Sequence, residues 1–322
     1  MLSRTASGLF WLARYVERAE NAARILLAGH RMGAMMRSLG ADNGEWRSAL
    51  AATGTADGFS ERHGPEVADR EADDGEAERV IDYMTRDPAN PSSILSCIET
   101  ARANARAVRT ACTSDMWDVL NETWHELRAM PPAAFQPDQI PDFLEWTKRR
   151  SVLFNGTYET TMLRTDAYFF TRLGTFVERA ESTARILDVK HHVLLPSHEG
   201  EGGVVDYHQW RSILVALSAV RAYHWIYQGR LQPALVAELL ILRREMPRSL
   251  LSCSAAVEVA LEQISGAYGG KRGECHRLAG EMHAKLRYGR VEDVFARGLH
   301  EYLTGFIDSG IHLGDEIANF YM

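Results

Sequence analysis

Two segments of the chain place carboxylates and guanidiniums at spacings that could do chemistry. The first, Tyr15–Leu26, carries Glu17, Arg18, Glu20 and Arg24; the second, Phe176–Leu187, carries Glu178, Arg179, Glu181 and Arg185, and His191 and His192 follow closely. Paired carboxylates can orient or deprotonate an amine, and arginine forks hold carboxylate or phosphate oxygens. Histidine titrates near working pH and can move protons in amide chemistry. Amine and acyl-phosphate substrates would suit this set. The same residues equally suit an ionic lock between two helices, which gives specificity of packing more than stability.

The elements that must position them are helices. At about 100° per residue, Glu17, Glu20, Arg24 and Arg31 fall on one stripe, with Ala19, Ala22, Ala23, Ile25 and Leu26 around much of the rest. In the second segment Glu178, Glu181, Arg185, Asp188 and His192 form the stripe. Asp188 and His192 stand where the first segment has Leu27 and Arg31, so the second segment is the richer candidate. Arg18 and Arg179 project about 100° from the preceding Glu, toward the side of Ile25 or Ile186. If that side is buried, each needs a carboxylate from another helix, because an unpaired buried charge costs several kcal/mol. The two Glu-Arg helices are therefore expected to face each other.

The segments are copies. Glu17 and Glu178 lie 161 positions apart in a chain of 322 residues, and the copying extends to Trp46-Arg47-Ser48 with Trp210-Arg211-Ser212 and to Cys97 with Cys253. Asp118-Val119 and His125-Glu126 likewise find counterparts in Asp293-Val294 and His300-Glu301. The expected fold is all-α: two pseudo-symmetric helical-bundle repeats sharing an interior, 1–140 and 141–322, with a linker helix from about 141 to 161 behind the prolines at 131, 132, 137 and 141. Expected helices cover 3–38, a segment opening at Glu45, one capped by Ser92 or Ser93 and running to about 112, and one from Asp115 to about 129. In the second half they fall near 162–195, 207–228, 231–245, 248–267, 271–287 and 290–320. Residues 53–79, rich in Gly, Asp and Glu, read as an exposed loop with a short helix inside.

With Leu2-Ser3-Arg4-Thr5-Ala6, the paired Val-Glu-Arg-Ala-Glu segments and Ala184-Arg185-Ile186-Leu187-Asp188-Val189-Lys190, the chain resembles the bacterial alpha-E domain family over essentially its whole length. Asn90-Pro91-Ser92-Ser93-Ile94-Leu95-Ser96-Cys97 and Leu153-Phe154-Asn155-Gly156 are similar to that family's pattern too. The resemblance implies an all-helical protein encoded beside circularly permuted ATP-grasp ligases, often with transglutaminase-like proteins, in systems that form or modify peptide amide bonds. It implies a partner subunit of such a ligase acting on a peptide or amino acid, with ATP and Mg held by the partner and no cofactor on this chain. A non-catalytic adaptor that stabilises the ligase or presents its peptide is the alternative, and an independent metal-dependent enzyme is a second.

Other classes find little support. The formal net charge of -7 argues against nucleic acid as a general partner. No run of 18 apolar residues marks a spanning helix and no apolar stretch marks a signal peptide, so no membrane role and a cytoplasmic location are expected. There is no GxxxxGK[ST], GxSxG or HExxH. A calcium loop counted from Asp69 puts Gly75 seventh instead of sixth and Val80 in place of the bidentate Glu. Glu122 and His125 have the ExxH spacing of di-iron bundles, but Arg297 stands three before His300, so the duplicate lacks it. Cys97 and Cys253 read first as duplicated core positions, and His30 with His191 as helix residues on an apolar side.

Overall fold

The computed structural model describes residues 1–38, 45–64, 75–193 and 204–322; the side chains of 33–38, 45, 191–193 and 204–205 lie outside that description, as do residues 65–74 of the Asp-rich segment. The described residues form an all-α fold with no strand. The helices are α1 (Ser3–Ser38), α2 (Glu45–Thr53), α3 (Ala56–His63), α4 (Glu76–Thr85), α5 (Ile94–Ala107), α6 (Ser114–Ala129) and α7 (Ile140–Thr161), followed by α8 (Asp166–Val193), α9 (Val204–Ala216), α10 (Val220–Tyr227), α11 (Pro233–Ile241), α12 (Leu250–Ala267), α13 (Glu274–Arg287), α14 (Val291–Arg297) and α15 (Leu299–Tyr321).

The two Glu-Arg helices, α1 and α8, are the centre of the fold and pack on each other more extensively than any other pair. They run parallel and nearly in register: Phe10 lies against Gly174, Glu17 meets Arg179 and Arg18 meets Glu178. The close crossing depends on a missing side chain, since a Cβ on Gly174 would stand 2.2 Å from the Phe10 carbonyl oxygen and 3.2 Å from the Ala13 Cβ. Around this pair, α5 and α7 cover α1, α12 and α15 cover α8, and α2 reaches both. The main apolar core draws on both halves, with Ala19, Ile25 and Leu26 of α1 beside Ala184, Ile186 and Leu187 of α8, and with Trp46 and Trp210.

Local details recur at copied positions. Ser93 and Ser249 cap α5 and α12, each accepting from the backbone N–H three residues on. Cys97 and Cys253 are fully buried one turn inside those helices, each thiol 3.8 Å from the carbonyl of Pro91 or Pro247. At the ends of α2 and α9 the backbone turns left-handed, at Gly54 (φ 68°) and Ser218 (φ 57°), and each end closes with a matching pair of backbone bonds.

Several expectations need correction. The expected linker helix is α7, which also packs along α1 and α6. Asp118 to Glu126 lies inside α6, whereas 293–301 crosses the break at Gly298 (φ 95°) between α14 and α15, so the two are not equivalent segments. That break splits the helix expected over 290–320, because Gly298 tolerates the positive φ that other residues resist. Ser218 likewise splits the helix expected over 207–228. Thr113, not Asp115, caps α6, and α5 ends at Ala107 rather than near 112. In the Asp-rich stretch Phe59 of α3 is buried and Glu76, at the start of α4, is buried against Arg47.

Candidate functional site: a buried carboxylate–guanidinium network

Eight of the residues singled out by spacing converge between α1 and α8. Arg18 Nε and Nη2 donate to the two oxygens of Glu178 at 2.6 and 3.0 Å. Reciprocally, Arg179 Nε and Nη2 donate to the two oxygens of Glu17 at 2.9 and 2.8 Å. This is the fork geometry that makes arginine–carboxylate pairs strong. It also satisfies the requirement that each of these arginines find a carboxylate across a helix interface. Because the copies lie parallel and in register, each Glu-Arg pair meets its own duplicate.

Each carboxylate then receives a second guanidinium that local spacing did not single out. Arg14, from α1, donates to Glu178 at 2.6 Å and to Glu181 at 3.2 Å. Arg248, just ahead of α12, donates to Glu17 at 2.8 Å and also pairs with Glu20. The two halves differ here: Thr175 follows Gly174 where Arg14 follows Ala13, and Ser92 precedes the first capping serine where Arg248 precedes the second. Ser151 of α7 donates to Glu20 at 2.6 Å. Arg14 carried a signal, lying one turn before Arg18; Arg248 and Ser151 carried none, being more than a hundred residues from their partners.

Arg24 and Arg185 serve the helix ends of the opposite halves. Arg24 binds Glu20 through Nε at 2.8 Å and donates from Nη1 to the Ala216 carbonyl at 2.5 Å and to Ser218 Oγ at 3.1 Å. It thus closes the left-handed end of α9, supplying a donor to a carbonyl that the helix leaves without one. Arg185 binds Glu181 at 2.8 Å, and its Nη1 stands 3.5 Å from where a Cβ on Gly54 would be, at the end of α2. Asp188, on the same stripe, contacts His300 of α15 at 2.8 Å. His191 and His192 lie in the last turn of α8, with side chains outside the described residues.

Four carboxylates therefore sit among six guanidiniums, and burial is deep: Glu17 and Glu20 are 1% and 0% exposed. Burial alone would raise the Glu17 carboxyl, but the charges of Arg179 and Arg248 outweigh it and hold the group at about 2. Glu178 is lowered in the same way, burial being overcome by Arg14 and Arg18. Arg18 and Arg179 are raised by the same pairings against the opposing effect of burial. A carboxylate held so far down is a weak base. Nor are Cys97 and Cys253 poised as nucleophiles, since burial pushes both thiols up to about 12.

The network makes a prediction about acid. Glu17 has a lower pKa folded than its ordinary value of 4.5, so its contribution to stability is complete above that value and is lost as pH falls toward about 2. Chemical denaturation at pH 7, 5, 4 and 3 is expected to show stability flat above about pH 5 and falling below about 4.5. Stability unchanged down to pH 3 would contradict the pairing. The Glu17→Gln protein should lose part of this acid dependence.

Glu181 is the network carboxylate that reaches a cleft. A small pocket of about 20 Å³, open to solvent, lies between α8, α12, α13 and α15, lined by Val177, Val257, Met282, Phe306 and Leu313, with Glu181 on its wall. Glu122 lies near Arg150, and among the described residues no group of three His, Cys, Asp or Glu side chains is placed to hold a metal ion. No described helix is long and apolar enough to cross a membrane.

Fold and network together define a class: an all-helical protein built on two parallel Glu-Arg helices that are cross-locked by reciprocal ion pairs. The chain belongs to the Alpha-E family, described as a predicted alpha-helical domain with a conserved ER motif, whose model matches residues 1–322. It is similar to an uncharacterized protein of Mycobacterium bovis, 28% identical over 96% of this chain, and to uncharacterized proteins of two Mycobacterium tuberculosis strains at the same identity and coverage. The matched region is 35% of the length of each of those relatives, so the chain spans about a third of them. No solved structure matches.

Proposed function

We propose that the protein is the helical partner subunit of a circularly permuted ATP-grasp ligase that forms amide bonds on a peptide or amino acid, and that the Glu-Arg network is the lock that shapes this partner. The observation that carries the second half is the saturation of the network: both oxygens of Glu17 and Glu178 are bound by guanidiniums. What such a chain offers a ligase is a rigid helical surface. The partnership rests on the family resemblance. The ligase would hold ATP and Mg, in the cytoplasm. Turnover of the ligase with and without this chain tests the reading. ATP consumption coupled to amide formation only when both are present supports it; a ligase equally active alone rejects it.

A second reading is favoured by one observation, the position of Glu181 on the apolar cleft. In that version Glu181 orients an amine substrate inside the complex. Glu181→Gln would then lower turnover while complex affinity stays near wild type, measured below the variant's melting temperature because Arg14 and Arg185 lose a counter-charge.

A further inference from the structure

The imidazole of His276, at the start of α13, is held from both sides. Its Nδ1 accepts from the Gly273 backbone N–H at 3.1 Å, and the Cys275 thiol lies 3.4 Å from the same nitrogen. A backbone N–H can only donate, so Nδ1 carries no proton and the neutral ring holds its proton on Nε2. That nitrogen lies 3.2 Å from the hydroxyl of Tyr321, in the last turn of α15. His283 and His300 are placed differently, each against a carboxylate, Glu258 or Asp188, which favours the charged ring.

These bonds join two distant stretches of chain. Gly273 accepts in return from the His276 backbone N–H at 3.1 Å, closing the first turn of α13. The Phe320 ring covers Gly273, where a Cβ would stand 2.4 Å from Phe320 Cδ2. Tyr321 meets the buried Phe170 of α8 edge-on, 5.5 Å between ring centroids. On α13 Glu274 is paired with Arg277, and burial pushes the Cys275 thiol up to about 11, so it remains S–H. On α15 burial raises the Tyr321 phenol, His312 stands near Glu274, and Glu316 stands near Cys275. From α12, Tyr268 and Glu262 face Tyr321, and Glu262 is paired with Arg272. Among the described residues no carboxylate bonds to the imidazole, so a charged ring gains no counter-charge there. Both α13 and α15 wall the pocket at Glu181.

We propose that His276 is an acid-released latch, tying the last turn of α15 to the start of α13 while its ring is neutral and letting go when the ring is protonated. A proton on Nδ1 would point at the Gly273 N–H, and the Cys275 sulfur is a weak acceptor. The ring must then turn and give up the Gly273 bond, the Tyr321 bond or both. The latch is closed at neutral pH and is lost as pH falls through the range in which histidine takes up a proton. Backbone hydrogen exchange of the full chain at pH 7.5 and pH 5.5, corrected for intrinsic rates and read by mass spectrometry, tests this. Since pH 5.5 lies above the range in which the Glu17 pairing weakens, overall stability stays constant across the comparison. In the wild-type chain, protection of the last turn of α15 should fall about tenfold between the two pH values, the effect of about one hydrogen bond. His276→Gln takes up no proton, and its side-chain carbonyl can still accept from the Gly273 N–H, so protection should be the same at both pH values. His276→Ala should be poorly protected at both. A fall in the wild type that is absent from both variants supports the latch; no fall in the wild type, or the same fall in either variant, overturns it.

Discussion

The Glu17→Ala protein is expected to lose about 3–5 kcal/mol of stability, the cost of leaving buried guanidiniums without their counter-charge. Arg179 and Arg248 both donate to this carboxylate, and Arg179 Cζ lies over the Phe176 ring, 5.0 Å from its centroid. Glu178→Ala should behave alike, stranding Arg18 and leaving Arg14 only Glu181. A double-mutant cycle separates the lock from a local packing defect. Removing Arg179 together with Glu17 should cost clearly less than the sum of the single changes, because the stranded charge is then gone. Denaturant unfolding is the readout. A Glu17→Ala protein within about 0.5 kcal/mol of wild type would refute the lock, and loss of turnover without loss of stability would return the carboxylate to the list of bases.

The second large effect is expected at Gly174. A leucine there has to begin with a Cβ 2.2 Å from the Phe10 carbonyl oxygen, and it is backbone, not a flexible side chain, that stands in the way. The helices must separate or slide. Overpacking of this kind costs about 1–3 kcal/mol, and here it also draws apart the pairs at Arg14, Arg18 and Glu178, which lie within two turns of the crossing. Gly174→Leu should therefore destabilise by about 3 kcal/mol or more. Gly156→Ala, in open surroundings, is the control and should be stabilising by about 0.5–1 kcal/mol. Equal stability of the two variants would show that α1 and α8 do not cross as closely as described.

The Glu-Arg network ties these effects to function. Its residues invite a catalytic reading when seen as a sequence, since carboxylates and arginines at helical spacing are what amide chemistry uses. Burial changes their meaning. Glu17, buried and bound by Arg179 and Arg248, ties α1 to α8 and to the start of α12. Glu181 is the member that lines the small solvent-open pocket.

How much of this could be read without coordinates follows from what is local and what is not. A helix repeats every 3.6 residues, so the periodicity of Glu17, Glu20 and Arg24 established α1, its copy established α8, and the all-α fold followed. The awkward placement of Arg18 and Arg179 required that two helices face each other, because a buried charge must be matched, and the reciprocal forks answer that requirement. Ser93 and the prolines before α7 marked their boundaries by local chemistry alone. Contacts across long stretches of chain leave no such mark. Nothing around Arg248 or Ser151 announces that they close over Glu17 and Glu20, and nothing at Ser218 announces that Arg24 will hold its left-handed turn. The parallel, in-register pairing of α1 and α8 was equally invisible, since it depends on Gly174 letting two backbones touch. Sequence determined which residues carry charge and which side of a helix they share; tertiary structure decided their partners and their burial, because the reciprocal forks at Glu17 and Glu178 form only where two helices distant in sequence pack together.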